Sequence, residues 1–123
     1  MLGAIIGDTA GSRFEWKNHK NFTLDGIRES YTFDVSCQGS VPQAFAAFFE
    51  STGFEDAIRN AVSIGGDSDT IALIAGGMAG AYYGVPNELR EREMLFMDKR
   101  QREILDAFEV RYESVEASDT ACT

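Results

Sequence analysis

Two carboxylates and two hydroxyls lie close together in one short segment, Gly65-Gly66-Asp67-Ser68-Asp69-Thr70. All four side chains offer oxygen atoms, the ligands that Mg²⁺ and Mn²⁺ prefer, so Asp67, Asp69 and Thr70 are candidate metal ligands. Glycines permit close approach to the backbone, and free N–H groups at a helix start can receive a phosphate. Gly65, Gly66 and Ser68 are therefore candidate substrate-binding residues. The alternative is structural, with Asp67 or Ser68 capping a helix and Asp69 favouring its dipole.

Glycines recur at steps of four residues in two other segments. The rows are Gly3, Gly7 and Gly11, continued by Glu15, and Gly76, Gly80 and Gly84. Residues four apart share one face of a helix, and a helical glycine costs about 1 kcal/mol relative to alanine. We therefore expect the two rows to pack together. In an antiparallel arrangement Glu15 would lie near Asp69 as a third carboxylate. The alternative is that Glu15 is solvated beyond the helix end.

Other polar residues could also carry chemistry. Asp8 lies within an apolar first helix, so it needs a partner such as a helix N-terminus, a cation or water, and it is a candidate substrate-binding residue. His19 is the only histidine and is expected on the surface. Because Ser12, Ser36 and Ser40 have no nearby histidine, a serine-hydrolase mechanism is excluded.

The apolar pattern predicts a compact all-α domain of about five helices. They are expected over 2–14, 40–50, 52–63, 68–83 and 86–112. Ser40 is predicted to cap the second helix, and Thr52 and Glu55 to form a capping box at the third. Two apolar sets are expected on buried faces. They are Phe45, Phe48, Phe49 and Phe54, and Leu89, Leu95, Phe96, Ile104, Leu105 and Phe108. Residues 1–123 are interpreted as a single domain with a frayed tail at 113–123.

Composition limits the class of protein. The 123 residues carry 20 acidic and 11 basic side chains, a net charge of −9. That charge disfavours binding to nucleic acid or to anionic membranes. The two cysteines, Cys37 and Cys122, lack metal-binding spacing, so free thiols in a reducing, cytoplasmic compartment are expected. The uncharged run Thr70–Asn87 is rich in glycine and is not interpreted as a membrane span.

Two segments resemble the ADP-ribosylglycohydrolases, the family of the dinitrogenase-reductase-activating glycohydrolase. The first is Gly3-Ala-Ile-Ile-Gly-Asp8-Thr-Ala-Gly11-Ser-Arg-Phe-Glu15. The second is Cys37-Gln-Gly-Ser-Val-Pro-Gln-Ala44, followed by the segment 65–70. The resemblance covers most of 1–15 and 34–110. It implies an all-α fold and hydrolysis of a glycosidic bond to ADP-ribose with a pair of Mg²⁺ or Mn²⁺ ions.

The same resemblance implies roles for individual residues. Asp67, Asp69 and Thr70 correspond to the family's C-terminal metal ligands. Glu15 matches a glutamate that contacts metal or acts in catalysis in some members, so it is the candidate catalytic residue. The family's other metal motif, Thr-Asp-Asp-Thr, is absent from these 123 residues, as though the middle section were deleted.

This departure leads to two functional hypotheses. The remaining ligands cannot supply about six oxygens to each of two cations, so one weakly bound ion or none is expected. The first hypothesis is an impaired ADP-ribosylglycohydrolase-like hydrolase acting on an ADP-ribosyl small molecule or an ADP-ribosylated protein. The alternative is a non-catalytic scaffold or ligand-binding remnant. In both, loss of covering helices would leave apolar faces exposed on a monomer, including Phe45, Phe48, Phe49 and the residues around Met78. This favours a homo-oligomer, most simply a two-fold dimer in which one chain fills the space left in the other.

Overall fold

The computed structural model describes residues 1–12, 27 and 31–112. Its helices are α1 (Leu2–Ser12), α2 (Cys37–Phe49), α3 (Phe54–Ile64), α4 (Ser68–Tyr83), α5 (Asn87–Phe96) and α6 (Lys99–Tyr112). No strand occurs in these ranges, so the predicted all-α class is confirmed. None of the helices within them is long and apolar enough to cross a membrane.

Helix α4 is the centre of the fold, and α1, α2 and α3 pack against it. Its sequence is apolar almost all round, which is typical of a buried helix. Ile71, Ala72, Ala75 and Ala79 are completely shielded from solvent. The small side chains of α4 therefore let three helices approach it closely.

The glycine row of α1 packs directly against α4, as predicted, and the two helices run antiparallel, but Gly84 takes no part because a Cβ there would have no atom within 4 Å. Gly3 faces Gly76 and Gly80 at one end of the contact, and Gly11 faces Ser68 and Asp69 at the other. A methyl group on Gly7 would collide with the backbone carbonyl of Ala72 between them. The rows therefore bring backbone against backbone, which only glycine permits here.

The start of α2 differs from the prediction that Ser40 caps it. Ser36 is the cap, and its hydroxyl accepts a hydrogen bond from the Gly39 N–H at 3.2 Å. Ser40 is buried inside the helix and donates to the Asp34 carbonyl at 3.3 Å. Because these hydrogen bonds fix its first turn, α2 begins at Cys37, and Pro42 lies inside the helix instead of marking its start.

The predicted capping box at α3 is also wrong. Gly53 precedes the helix, and no side chain caps it. Thr52 instead donates from both its N–H and its hydroxyl to Asp56 Oδ2, at 2.9 and 3.2 Å. Glu55 pairs with Arg59 one turn on, at 2.6 Å. Asp56, one position after Glu55, is therefore the residue whose carboxylate accepts the Thr52 N–H.

The last predicted helix is two helices, α5 and α6. Asp98 and Gln101 exchange two hydrogen bonds of 2.8 Å, each from the backbone N–H of one to the side chain of the other. This reciprocal pair is a capping box that starts α6 and ends the continuous helix. Met97, at the break, is buried.

Several residues of the two apolar sets predicted on buried faces lie on the surface, and for Phe45 and Phe49 this is the exposure expected on a monomer that lacks covering helices. Leu105 and Phe54 are buried as expected. The exposed residues are Phe45, Phe49, Leu95, Phe96 and Ile104. Periodicity places residues on one helical face, but it cannot say whether another element covers that face. The predicted tail, 113–123, lies outside the described residues.

Candidate functional site

The segment 65–70 forms the turn from α3 into α4. Gly65 and Gly66 have φ angles of 82° and 66°, in the left-handed region that favours glycine. The turn ends at Asp67, the residue that precedes α4. The predicted helix start is therefore confirmed. The Asp67 side chain makes no capping hydrogen bond, so capping does not explain the choice of aspartate there.

Asp67 and Asp69 bring two carboxyl groups together at this helix start. The Asp67 residue is only 5% exposed. Burial raises the pKa of Asp67, and contact with the Asp69 carboxyl raises it further, whereas hydrogen bonds from Thr70 lower it. Asp69 Oδ1 accepts the Thr70 N–H at 2.8 Å. A cation placed at this pair would relieve both the desolvation and the mutual repulsion.

Two candidate substrate-binding residues of the turn, Gly65 and Ser68, already use their backbone N–H groups in hydrogen bonds within the chain. The Gly65 N–H donates to the Val62 carbonyl at 3.2 Å, and the Ser68 N–H to the Gly66 carbonyl at 2.9 Å. Ser68 is fully buried, and its hydroxyl also donates to Gly66, at 3.3 Å. These N–H groups are therefore not free to receive a phosphate.

Tyr31 lies beside this turn, and sequence reasoning missed it. Its ring occupies the space next to Gly66, where a side chain on residue 66 would collide with it. Its hydroxyl donates to the Asp34 carbonyl at 3.3 Å. Burial raises the pKa of Tyr31, and backbone hydrogen bonds with Asp34 and Asp67 lower it. The tyrosine therefore forms a wall of the candidate site.

Asp34 is close in sequence to Tyr31 but has a structural role. Its carboxylate accepts the Ser36 N–H at 2.8 Å. Hydrogen bonds from the Ser36 side chain and backbone lower the pKa of Asp34. The carboxyl group also lies against Gly39 in the first turn of α2. Asp34 therefore supports the start of α2.

The other two predicted site residues lie on or beyond α1. Asp8 is exposed to solvent, so its carboxylate is accessible to water, one of the three partners expected for it. Glu15 lies outside the described residues. Gly11, four positions before Glu15 in the sequence, does contact Asp69, so the end of α1 adjoins the candidate site.

The donor set fits one cation. Asp67, Asp69 and Thr70 offer two carboxylates and a hydroxyl, and water could complete the shell. Across 1–12, 27 and 31–112, no three or more His, Cys, Asp and Glu side chains form a group that could hold a metal ion. The described donors therefore do not fit a pair of cations.

A cavity of about 600 Å³ lies at the opposite end of α4. Its walls come from the start of α1, the end of α4, and helices α5 and α6. Arg90 and Glu109 line it and are joined by two hydrogen bonds of 2.6 Å. The cavity is therefore separate from the acidic turn, and the ion pair ties α5 to α6.

The site belongs to a segment with known relatives. The family model of ADP-ribosylglycohydrolase matches residues 23–114, which is more than half of the chain. The chain therefore belongs to the ADP-ribosylglycohydrolase family. The match includes the acidic turn and Tyr31, and it begins after the N-terminal segment 3–15.

A relative from Archaeoglobus fulgidus, described as an uncharacterized protein, is similar to part of this chain. It is 38% identical over 66 residues, which are 50% of this chain and 22% of the relative. The matched segment thus spans about a fifth of that relative's length. No solved structure matches the chain.

Proposed function

We propose that this chain is an ADP-ribosylglycohydrolase-like protein that binds one Mg²⁺ or Mn²⁺ ion and an ADP-ribosyl group, with impaired hydrolytic activity. The observation that carries the proposal is the meeting of Asp67, Asp69 and Thr70 at the start of α4, within the segment that matches the family. The ligand is an ADP-ribosyl small molecule or an ADP-ribosylated protein.

The candidate site residues would divide between holding the cation, contacting the ligand and acting on water. Asp67, Asp69 and Thr70 hold the cation, which when bound would polarise the ribose hydroxyls or activate a water molecule. The ligand lies against Tyr31 and the Gly65-Gly66 turn. Glu15 positions the attacking water or accepts its proton.

Asp8 and Ser68 have lesser parts. Asp8 is exposed on α1, where its carboxylate would be available to contact the ligand. Ser68 is fully buried, so its contribution is to shape the turn from inside.

A non-catalytic alternative has its own support. The sequence lacks the Thr-Asp-Asp-Thr motif expected from the resemblance, and in the part of the chain that the structure describes no three or more His, Cys, Asp and Glu side chains form a group that could hold a metal ion. A single cation could hold a diphosphate or ribose without the second metal that the family's reaction uses. The chain would then bind ADP-ribose without cleaving a glycosidic bond.

Calorimetric titration with Mn²⁺ tests the metal site. We expect Asp69→Ala to weaken Mn²⁺ binding at least about tenfold, because one of the two charged ligands is lost. Asp106→Ala is the matched control, since Asp106 is an exposed carboxylate on α6. Equal Mn²⁺ affinity in the wild type and Asp69→Ala would show that the metal assignment is wrong.

Release of free ADP-ribose distinguishes the hydrolase from the non-catalytic alternative. Substrates bearing ADP-ribose are incubated with Mg²⁺ or Mn²⁺, and in parallel with EDTA. Metal-dependent release that Glu15→Ala abolishes supports the hydrolase. Binding of ADP-ribose without release supports the alternative. Absence of both binding and release contradicts the proposed function.

We also propose a cytoplasmic location for the protein. Cys37 is an exposed free thiol in the structure, which is compatible with a reducing compartment. Trapping of thiols with an alkylating reagent in intact cells tests the location. Quantitative labelling of Cys37 as the reduced thiol is expected, and an oxidised Cys37 would contradict the proposal.

A further inference from the structure

Two segments of this acidic chain carry no charge. Residues 35–49 and 70–87 contain no Asp, Glu, Lys or Arg, although a quarter of all residues is charged and the net charge is −9. The first segment contains all of α2 and the second contains most of α4, and the two helices pack together. The fold therefore gathers the uncharged residues on neighbouring helices.

An array of five aromatic rings lies where these helices end, and we call it the aromatic face. Its members are Phe45, Phe48, Phe49, Tyr82 and Tyr83. Neighbouring rings have centroids between 4.9 and 6.1 Å apart. Phe49 and Tyr82 are 73% and 74% exposed. Contiguous exposed apolar surface of this kind marks an interaction site.

A row of residues on α4 joins the aromatic face to the candidate metal site. Thr70, Ile74, Met78 and Tyr82 follow at steps of four and so lie along one side of the helix. Ile74 and Met78 are half-buried, and the neighbouring Leu73 is 39% exposed. A partner seated on this row would border the candidate ligand Thr70.

We propose that the aromatic face and this row of α4 form the interface with a second copy of the chain, in a two-fold dimer. Two copies that each carry a charge of −9 repel one another, and they approach at least cost through surfaces without charge. A two-fold axis places the same patch on both sides, and aromatic rings pack well against aromatic rings. A strongly charged partner would find no complementary charge on this face.

The interface does not depend on hydrolysis, so it is tested by association alone. Sedimentation velocity between about 1 and 100 µM, without added metal, follows the mass-action equilibrium. The wild type is expected to sediment as a dimer. Phe49→Glu and Tyr82→Glu place a charge on each side of the interface and are expected to raise the dissociation constant at least about tenfold.

Phe96→Glu is the matched control. Phe96 is 71% exposed and lies on α5, outside the proposed interface, so the same change in side chain and charge should leave the dimer intact. Circular dichroism checks that each variant is helical, and Phe49→Ser replaces Phe49→Glu if the latter unfolds.

Two results would overturn the inference. A wild-type chain that stays monomeric over the whole concentration range shows that no second copy covers the aromatic face. A dimer that Phe96→Glu dissociates, and that the substitutions at Phe49 and Tyr82 leave intact, shows that the interface lies elsewhere. Neither result affects the Mn²⁺ titration that tests the proposed function.

Discussion

Replacement of Gly7 by alanine is predicted to destabilise the fold although alanine is the better helix former. The added Cβ would collide with the Ala72 carbonyl oxygen and would lie 2.6 Å from its carbon and 3.0 Å from the Leu73 nitrogen. All three are backbone atoms of α4, so no side chain can rotate away. The helices α1 and α4 must therefore move apart.

The size of the effect follows from that displacement. Ordinary contact begins at 3.4 Å, so the helices must separate by about 1.5 Å at the Ala72 carbonyl oxygen, and a gap of even 1 Å forfeits about half of each contact's dispersion energy. Overpacking of this kind costs about 1–3 kcal/mol, and the rigid backbone places Gly7→Ala at the upper end. Alanine is about 1 kcal/mol more favourable than glycine in a helix, so the free energy of unfolding is expected to fall by about 2 kcal/mol in total.

Urea unfolding followed by circular dichroism measures this loss, at one protein concentration because association would raise the apparent stability. The matched control is Gly77→Ala, where the added Cβ would meet only the Ala4 Cβ at 3.6 Å, an ordinary contact. It should stabilise the protein by up to about 1 kcal/mol. A Gly7→Ala protein as stable as the wild type would refute the close packing of the two glycine rows.

Three further substitutions test other contacts. Thr9→Val removes the hydroxyl that donates to Glu93 Oε1 at 2.9 Å. Because Glu93 is buried, the free energy of unfolding measured in urea is expected to fall by about 1–3 kcal/mol. The additional substitution Glu93→Leu should restore part of that free energy. Asp34→Ala tests the pH dependence of α2: the folded pKa of Asp34 lies below its ordinary value of 3.8, so its contribution is present above that pH and is lost as the pH falls through the folded pKa. The stability gap between wild type and Asp34→Ala should therefore shrink in acid, and a gap that widens would contradict the assignment. Gly11→Ala pushes on the backbone of Ser68 and Asp69, so it should weaken Mn²⁺ binding in calorimetry more than Gly77→Ala does.

The parts of the fold that follow from short-range rules could be predicted from the sequence. Glycines at steps of four carry a conformational cost that only close packing offsets, and this indicated the pairing of α1 with α4, whereas their antiparallel direction was one hypothesis about that pairing. The glycine pair at 65–66 marked the turn, and the acidic residues after it marked the start of α4. The clustering of Asp67 and Asp69 follows directly from their places in that turn.

The remaining parts depend on contacts between distant residues. The cap of α2 uses Ser36, and the turn before α3 uses Asp56 to accept the Thr52 donors; each was one of several capable side chains near the correct place. Tyr31 joins the site because its ring fills the space beside Gly66, 35 positions along the chain. No local pattern specifies that contact, since a tyrosine in a polar, turn-rich segment is equally compatible with solvent.

The exposed aromatic residues show why apolar periodicity and burial are separate questions. The spacing of Phe45, Phe48 and Phe49 places them on one side of α2, and it does so whether or not another element covers them. In this fold Phe54 lies in the core and Phe49 lies on the surface, although both belong to the cluster predicted as buried. Their difference arises from neighbours: Phe54 belongs to the buried cluster of Leu2, Ile6 and Ala57, whereas the rings beside Phe49 are the exposed Phe45 and the half-buried Phe48. An apolar face that the chain forms but does not cover lowers solubility. This face lies at the end of α4, whereas Thr70 lies in its first turn. The proposed second copy therefore explains why the exposed rings are retained, and it would approach Thr70 only along the row of α4 that joins the two.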